Sequence, residues 1–66
     1  MNHESKALFG ARVREARLSM GMKQSELAEA AGVSRGTIVN IEAGRHSPQD
    51  GVRARIERAL ALNFTP

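Results

Sequence analysis

The sequence has no cysteine, tryptophan or tyrosine, and its aromatic residues are two phenylalanines. Without cysteine, neither a disulfide framework nor a thiolate zinc site can staple the 66 residues together, and the composition fits a reducing cytosol. A chain of about 60 residues buries only roughly 60% of the surface that it exposes when unfolded. We therefore expect one domain over residues 1–66 that is held by helix packing, without a cofactor, metal or enzyme pocket.

Long apolar runs and catalytic patterns are also missing. No apolar stretch approaches the roughly 18 residues of a membrane span, and Met1-Asn2-His3-Glu4 lacks the apolar segment of a signal peptide. The histidines His3 and His46 are isolated, no carboxylates pair at catalytic spacing, and no Gly-rich loop is present. We expect a cytoplasmic protein that is not an enzyme.

The charge balance is moderately basic. Ten Lys and Arg residues against seven Asp and Glu residues give a net charge of +3. Arginine suits bidentate contacts with phosphate and guanine, which favours a polyanionic partner. A charge of this size is equally ordinary on the surface of a soluble domain. Charge alone leaves both interpretations open.

Apolar residues recur at helical spacing in the first third of the chain. Those at i, i+4, i+7 and i+11 are Phe9, Val13, Ala16 and Met20. This stripe predicts a helix over about residues 5–20, with Ser5 as its N-cap and Gly21 as its stop.

Two shorter helices are predicted over about residues 24–31 and 35–43. Only Gly32, Val33 and Ser34 connect them, and so short a connection makes the two helices cross steeply. Gly32 supplies the left-handed conformation that ends the first of the two, Val33 fills the gap beneath the turn, and Ser34 caps the second. The residues that we expect these helices to bury are Leu27, Ala28, Ala31, Ile38 and Ile41.

A fourth helix is predicted from about residue 48 to residue 61. Ser47 is the expected cap, Pro48 the first helical residue, and Asp50 an acid that favours the helix dipole. Its expected inward residues are Val52, Ile56, Ala59 and Leu60. The predicted fold class is all-α: a compact bundle of four short helices, five at most, that contains a helix-turn-helix and ends in a short tail at 62–66.

The helix-turn-helix and the sequence on either side of it contain several short motifs. They are Phe9 to Arg17, Gly21 to Ala28, Ala31 to Ser34, Thr37-Ile38, Ile41-Glu42 and Gly44 to Pro48. Together they resemble the lambda-repressor/Cro type of helix-turn-helix, the XRE family of bacterial and phage transcriptional regulators, from Phe9 to about Leu60. The resemblance implies sequence-specific binding of double-stranded DNA by a repressor or activator. It also implies a homodimer on a palindromic operator whose half-sites lie about one turn, ~34 Å, apart.

The residues that we predict to contact DNA are Lys23, Gln24, Ser34, Arg35, Gly36, Thr37, Val39, Asn40 and Arg45. Arg35 stands where the family reads a base, and arginine is the usual partner of guanine N7 and O6, with a plain phosphate contact as the alternative. Thr37 and Asn40 share one helix face, and Val39 at its edge can meet a thymine methyl. Asn40 suits adenine, unless it is simply a solvated polar residue.

Four of these positions carry specific expectations. In this family the second helix of the helix-turn-helix, here about residues 35–43, enters the major groove and is called the recognition helix. The resemblance implies that the Gln24 amide contacts a phosphate and braces the first residues of this helix, against the alternative of an indifferent surface glutamine. Lys23 replaces the usual Ser or Thr cap and is either a phosphate contact or the product of drift. Gly36 costs ~0.5–1 kcal/mol relative to alanine, which indicates either close backbone approach to DNA or a silent position. Arg45 resembles a loop residue that grips phosphate.

Arg17 and Glu42 look like the family's internal ion pair, which joins the first helix to the end of the third. Their implied role is structural, because they set the angle of the recognition helix. By contrast, three arginines of the fourth helix are expected to form a solvated face: these are Arg53, Arg55 and Arg58.

The means of dimerisation is open, because the family's usual C-terminal dimerisation element is absent. The alternation of Leu60, Leu62 and Phe64 fits a strand-like dimer arm, or a tail that folds back so that Phe64 covers Val13 or Ile56. A different functional class is a small antitoxin or protein-interaction module whose tail clamps a partner and whose DNA binding is secondary. A third interpretation is the DNA-reading fragment of a longer chain.

Overall fold

The computed structural model describes residues 5–60, and this part of the chain forms four α-helices. They are α1 (Lys6–Ser19), α2 (Gln24–Ala31), α3 (Arg35–Glu42) and α4 (Asp50–Ala59). The absence of strands from the described residues confirms the predicted all-α fold class. None of the helices in this part of the chain has the length and apolar character needed to cross a membrane.

Serine side chains begin two of the helices, as predicted. The Ser5 hydroxyl accepts a hydrogen bond from the Leu8 N–H at 3.0 Å, at the start of α1. The Ser34 hydroxyl accepts one from the Thr37 N–H at 3.1 Å, at the start of α3. Each hydroxyl satisfies a backbone donor that has no partner within its own helix, so the cap residues define where these helices start.

The turn between α2 and α3 depends on Gly32. Its φ of 69° is left-handed, a conformation that costs a glycine little and other residues much more. In this conformation the Gly32 N–H donates to the Glu29 carbonyl at 3.2 Å, and the Val33 N–H donates to the Ala28 carbonyl at 2.9 Å. This pair of bonds is a Schellman motif. It ends α2 and turns the chain into α3 within three residues.

The start of α4 differs from the prediction. Ser47 does not cap the helix and Pro48 is not its first residue, because both lie in the connection before it, outside any helix. Gln49 is the N-cap, with an extended backbone and a carbonyl that accepts from the Arg53 N–H at 2.8 Å. Ser47 and Pro48 favour a helix start only through their own backbone and side-chain preferences. The observed start at Asp50 also depends on the tertiary fold, because α4 must place Ile56 in the core.

A single apolar cluster lies between the helices. Its buried members are Phe9, Val13, Ala16, Leu27, Ala28, Ala31, Ile38, Ile41, Ile56 and Leu60. Val33, Val52 and Ala59 are partly buried against it. Met20, the last residue of the apolar stripe in the sequence, is 37% exposed. Met20 follows the last helical residue, Ser19, so the helical period no longer directs it to the core.

Gly10 allows α1 to approach the end of α3 closely. A Cβ atom at this position would overlap the carbonyl oxygen of Ile41 and lie 3.2 Å from that of Glu42. Any larger residue would therefore push α1 away from α3. The approach places α1 directly beside the recognition helix.

Some predictions fall on residues 61–66. The strand-like dimer arm and the covering role of Phe64 lie outside the described residues. Leu60, the last described residue, is fully buried and ends α4 as its C-cap.

Candidate nucleic-acid interface

One side of α3 packs into the protein and the other faces outward. Ile38 and Ile41 are fully buried, and α3 packs against both α1 and α2. The predicted reading residues lie on the opposite side, where Arg35, Gly36 and Asn40 are exposed and Thr37 and Val39 are half-buried. The fold therefore presents one face of this helix to a partner.

The first turn of α3 is organised by its cap. Besides accepting from the Thr37 N–H, the Ser34 Oγ lies 2.9 Å from the Thr37 Oγ1, at hydrogen-bond distance. The Thr37 hydroxyl is thus held against the cap. Arg35 is exposed in the same turn, and this turn contains no acid. Because its positive charge opposes the helix dipole, a bound anion would relieve that repulsion.

The far end of α3 brings two predicted contact residues together. The Arg45 Nη1 donates to the Asn40 Oδ1 at 3.4 Å, and the Arg45 N–H donates to the Asn40 carbonyl at 3.0 Å. Gly44 makes this turn possible through a φ of 75°. Arg45 is therefore drawn back from the loop onto the recognition helix.

An ion pair ties α1 to the end of α3. The Arg17 Nε donates to the Glu42 Oε2 at 2.7 Å, and its Nη2 donates to the Glu42 Oε1 at 3.0 Å. The Arg17 Nη1 also donates to the Met22 carbonyl at 2.7 Å. The Arg17 and Glu42 side chains are only 9% and 4% exposed. Hydrogen bonding to Glu42 raises the pKa of Arg17 above its ordinary value, against the opposing effect of burial.

Gln24 joins this ion pair. Its Nε2 donates to the Glu42 Oε1 at 3.2 Å, so the side chain braces the last residue of α3. That it also braces the first residues of the recognition helix stays a prediction. Its phosphate contact stays a prediction.

Lys23 caps α2 without an acceptor of its own, because an ammonium group has no lone pair. The Glu26 Oε1 compensates in part by accepting from the Lys23 N–H at 2.7 Å. This bond is one half of a capping box, and Glu26 also places a negative charge in the first turn. The Lys23 side chain is exposed beside Gln24.

A shallow, open depression of about 300 Å³ lies between α1, the start of α2 and the end of α3. Its lining residues are Arg14, Gln24, Val39, Glu42 and Ala43. Arg14 was not among the residues predicted from the sequence, although it lies three positions before Arg17 and so on a neighbouring face of α1. Elsewhere in the described part of the chain, His, Asp and Glu side chains form no group of three that could hold a metal ion.

Comparison with known proteins points to one family. Residues 13–65 match the helix-turn-helix family. An uncharacterized HTH-type transcriptional regulator of Methanothermobacter thermautotrophicus is 50% identical over 48 residues, which cover 73% of this chain and 70% of the relative. One of Archaeoglobus fulgidus, also uncharacterized, is 45% identical over 49 residues, which cover 74% and 70%.

A longer protein is also similar. The HTH-type transcriptional regulator PrtR of Pseudomonas aeruginosa is 41% identical over 58 residues, which cover 88% of this chain. Those residues make up 22% of PrtR. The similarity thus extends to a regulator in which a domain of this kind is a minor part.

Proposed function

Because this chain belongs to the XRE-type helix-turn-helix family of DNA-binding transcriptional regulators, we propose that it reads a palindromic operator as a homodimer. In doing so it represses or activates transcription from that site. It acts where its operator lies, in the cytoplasm of a cell without a nucleus.

The observation that carries this proposal is the outward face of α3. Arg35, Thr37 and Asn40 lie on it, and the opposite face is fully anchored in the core. The major groove of DNA, about 12 Å wide, admits one α-helix, and helix-turn-helix proteins insert the N-terminal end of the second helix. Arg35 in the first turn of α3 is then the first side chain to reach base edges.

The size of the molecule supports a dimer on adjacent half-sites. Its backbone measures 32 × 29 × 19 Å along the principal axes. Two copies side by side, related by a two-fold axis, have their centres about one molecular width apart. That width approaches the ~34 Å between successive major grooves on one side of the duplex. Two copies of this size therefore fit on adjacent half-sites of one duplex.

Selection of bound duplexes from a random pool tests the proposal. The expected result is an enriched sequence with inverted half-sites whose centres are about 10–10.5 base pairs apart. Sedimentation of the protein on the enriched duplex should then show two copies for each site. Recovery of no enriched sequence, together with equal affinity for unrelated duplexes, would contradict sequence-specific binding.

A further inference from the structure

The DNA-facing surface continues from α3 onto α1. Two of the residues that line the depression between these helices, Gln24 and Val39, belong to the predicted DNA-contacting set. Arg14 lines the same depression from α1 and is exposed. The tertiary structure thus brings a cation of the first helix beside contact residues of the second and third.

The charges around this depression favour a phosphate group. Glu42 lies in it, but both of its carboxylate oxygens accept hydrogen bonds, one from the Arg17 Nε and the other from the Arg17 Nη2 and the Gln24 amide. Arg14, by contrast, has no ion-pair partner within residues 5–60. The start of α2 at Gln24 adds the positive end of a helix dipole. The negative charge of Glu42 is thus neutralised by Arg17, whereas the positive charge of Arg14 stays available for an anion.

We propose that Arg14 binds a backbone phosphate of the DNA and extends the interface onto α1. The contact is with the backbone, because Arg14 shares the depression with Val39 in the second half of α3 and with Ala43 just after its end, whereas the N-terminal end of α3 enters the groove. A phosphate contact positions the protein without reading sequence. This inference rests on the proposed DNA binding and adds a residue to it.

The salt dependence of DNA affinity tests this contact. Each neutralised phosphate contributes about 0.9 to the slope of log K against log salt concentration. We expect Arg14→Ala to make the slope shallower by about that amount. Between about 50 and about 200 mM salt, the wild type then loses about 3.5-fold more affinity than the variant. The sequence selected from a random pool should not change.

The matched control is Arg58→Ala. Arg58 is also an exposed helical arginine, but it lies on α4 in a separate groove with Glu29 and Arg55. This variant removes the same charge and should keep the wild-type slope. Arg14→Lys, which retains the charge, should keep it too. Thermal unfolding of each variant verifies that the fold is intact, as expected for exposed positions.

The outcomes separate this contact from the function that it serves. If wild-type protein binds duplex DNA and Arg14→Ala has the same slope as Arg58→Ala, the Arg14 contact is wrong and the proposed function stands. If the selected sequence changes in Arg14→Ala, a backbone contact is also wrong. If the wild type binds no duplex at all, both proposals are overturned.

Discussion

Two glycines occupy the second position of a helix without a steric need for glycine. A Cβ at Gly36 would meet only the Ser34 Oγ, at 3.9 Å, and one at Gly51 would meet nothing within 4 Å. Neither residue has a positive φ. In contrast to Gly10, the fold would accept a larger residue at both places. Gly36, however, lies on the outward side of α3 that we propose enters the DNA groove, so the proposed function explains the absence of its side chain, whereas it does not explain Gly51.

We expect Gly36→Ala to stabilise the protein and to weaken DNA binding. The added methyl group reduces the flexibility of the unfolded chain and should raise the free energy of unfolding by about 0.5–1 kcal/mol. It also keeps the backbone of α3 farther from the DNA. Urea unfolding and DNA titration measure the two effects. Gly51→Ala should give the same gain in stability with unchanged affinity, and unchanged affinity in Gly36→Ala would instead mark a silent position.

Arg35 and Gln24 are expected to affect DNA binding in different ways. Removal of a guanidinium that reads guanine should cost about 1–3 kcal/mol at one G·C pair, so Arg35→Ala should relax the preference there. Gln24→Ala should weaken binding to all sequences alike, because a phosphate contact carries no base information. Selecting bound duplexes from a random pool with each variant shows whether its preferred sequence changes. An unchanged preferred sequence for Arg35→Ala would show that Arg35 does not read a base.

At the scale of secondary-structure elements, the Arg17–Glu42 pair is expected to set the stability of the α1–α3 contact. Glu42→Ala leaves the guanidinium of Arg17 buried without its partner, a change that costs about 3–5 kcal/mol in buried pairs. The comparison is Glu57→Ala on α4, because the Arg53–Glu57 pair has side chains 36% and 43% exposed. An exposed pair contributes about 0–1 kcal/mol. Equal losses in urea unfolding would contradict a structural role for Arg17.

Near neutral pH, the contribution of the Arg17–Glu42 pair to stability should not change through titration of Arg17. The pKa of Arg17 is raised in the folded protein, mainly by its hydrogen bonds to Glu42. A raised pKa contributes stability that is complete below the ordinary value and is lost only as the pH rises through the folded value. Both values for arginine lie far above neutrality. Deprotonation of Arg17 therefore does not loosen α1 from α3 under physiological conditions.

At the scale of the whole molecule, the proposed dimer predicts a strict spacing of half-sites. Insertion of about 5 base pairs between them rotates one half-site to the opposite side of the duplex. Affinity should then fall to that of a single half-site, because two copies no longer meet. Titration of duplexes with and without the insertion measures the difference. Equal affinity for both would show that each copy binds independently and would contradict the dimer.

The sequence by itself determined the identity of the four helices and most of the core. The signals for α1, α2 and α3 are local: apolar spacing, the hydroxyl caps at Ser5 and Ser34, and a left-handed Gly32 all act within a few residues. Such signals need no knowledge of which helices pack together. The family resemblance likewise depended on residues at fixed separations along the chain.

Only the tertiary structure decided how the recognition helix is supported and where its surface continues. Gln24 of α2 donates to Glu42 at the end of α3, and Arg14 of α1 lines the same depression. Gly10, which reads as an ordinary helical residue, sets the approach of α1 to Ile41. These relations join residues that are 10 to 31 positions apart. They follow from the directions in which packed helices cross, which no local pattern encodes.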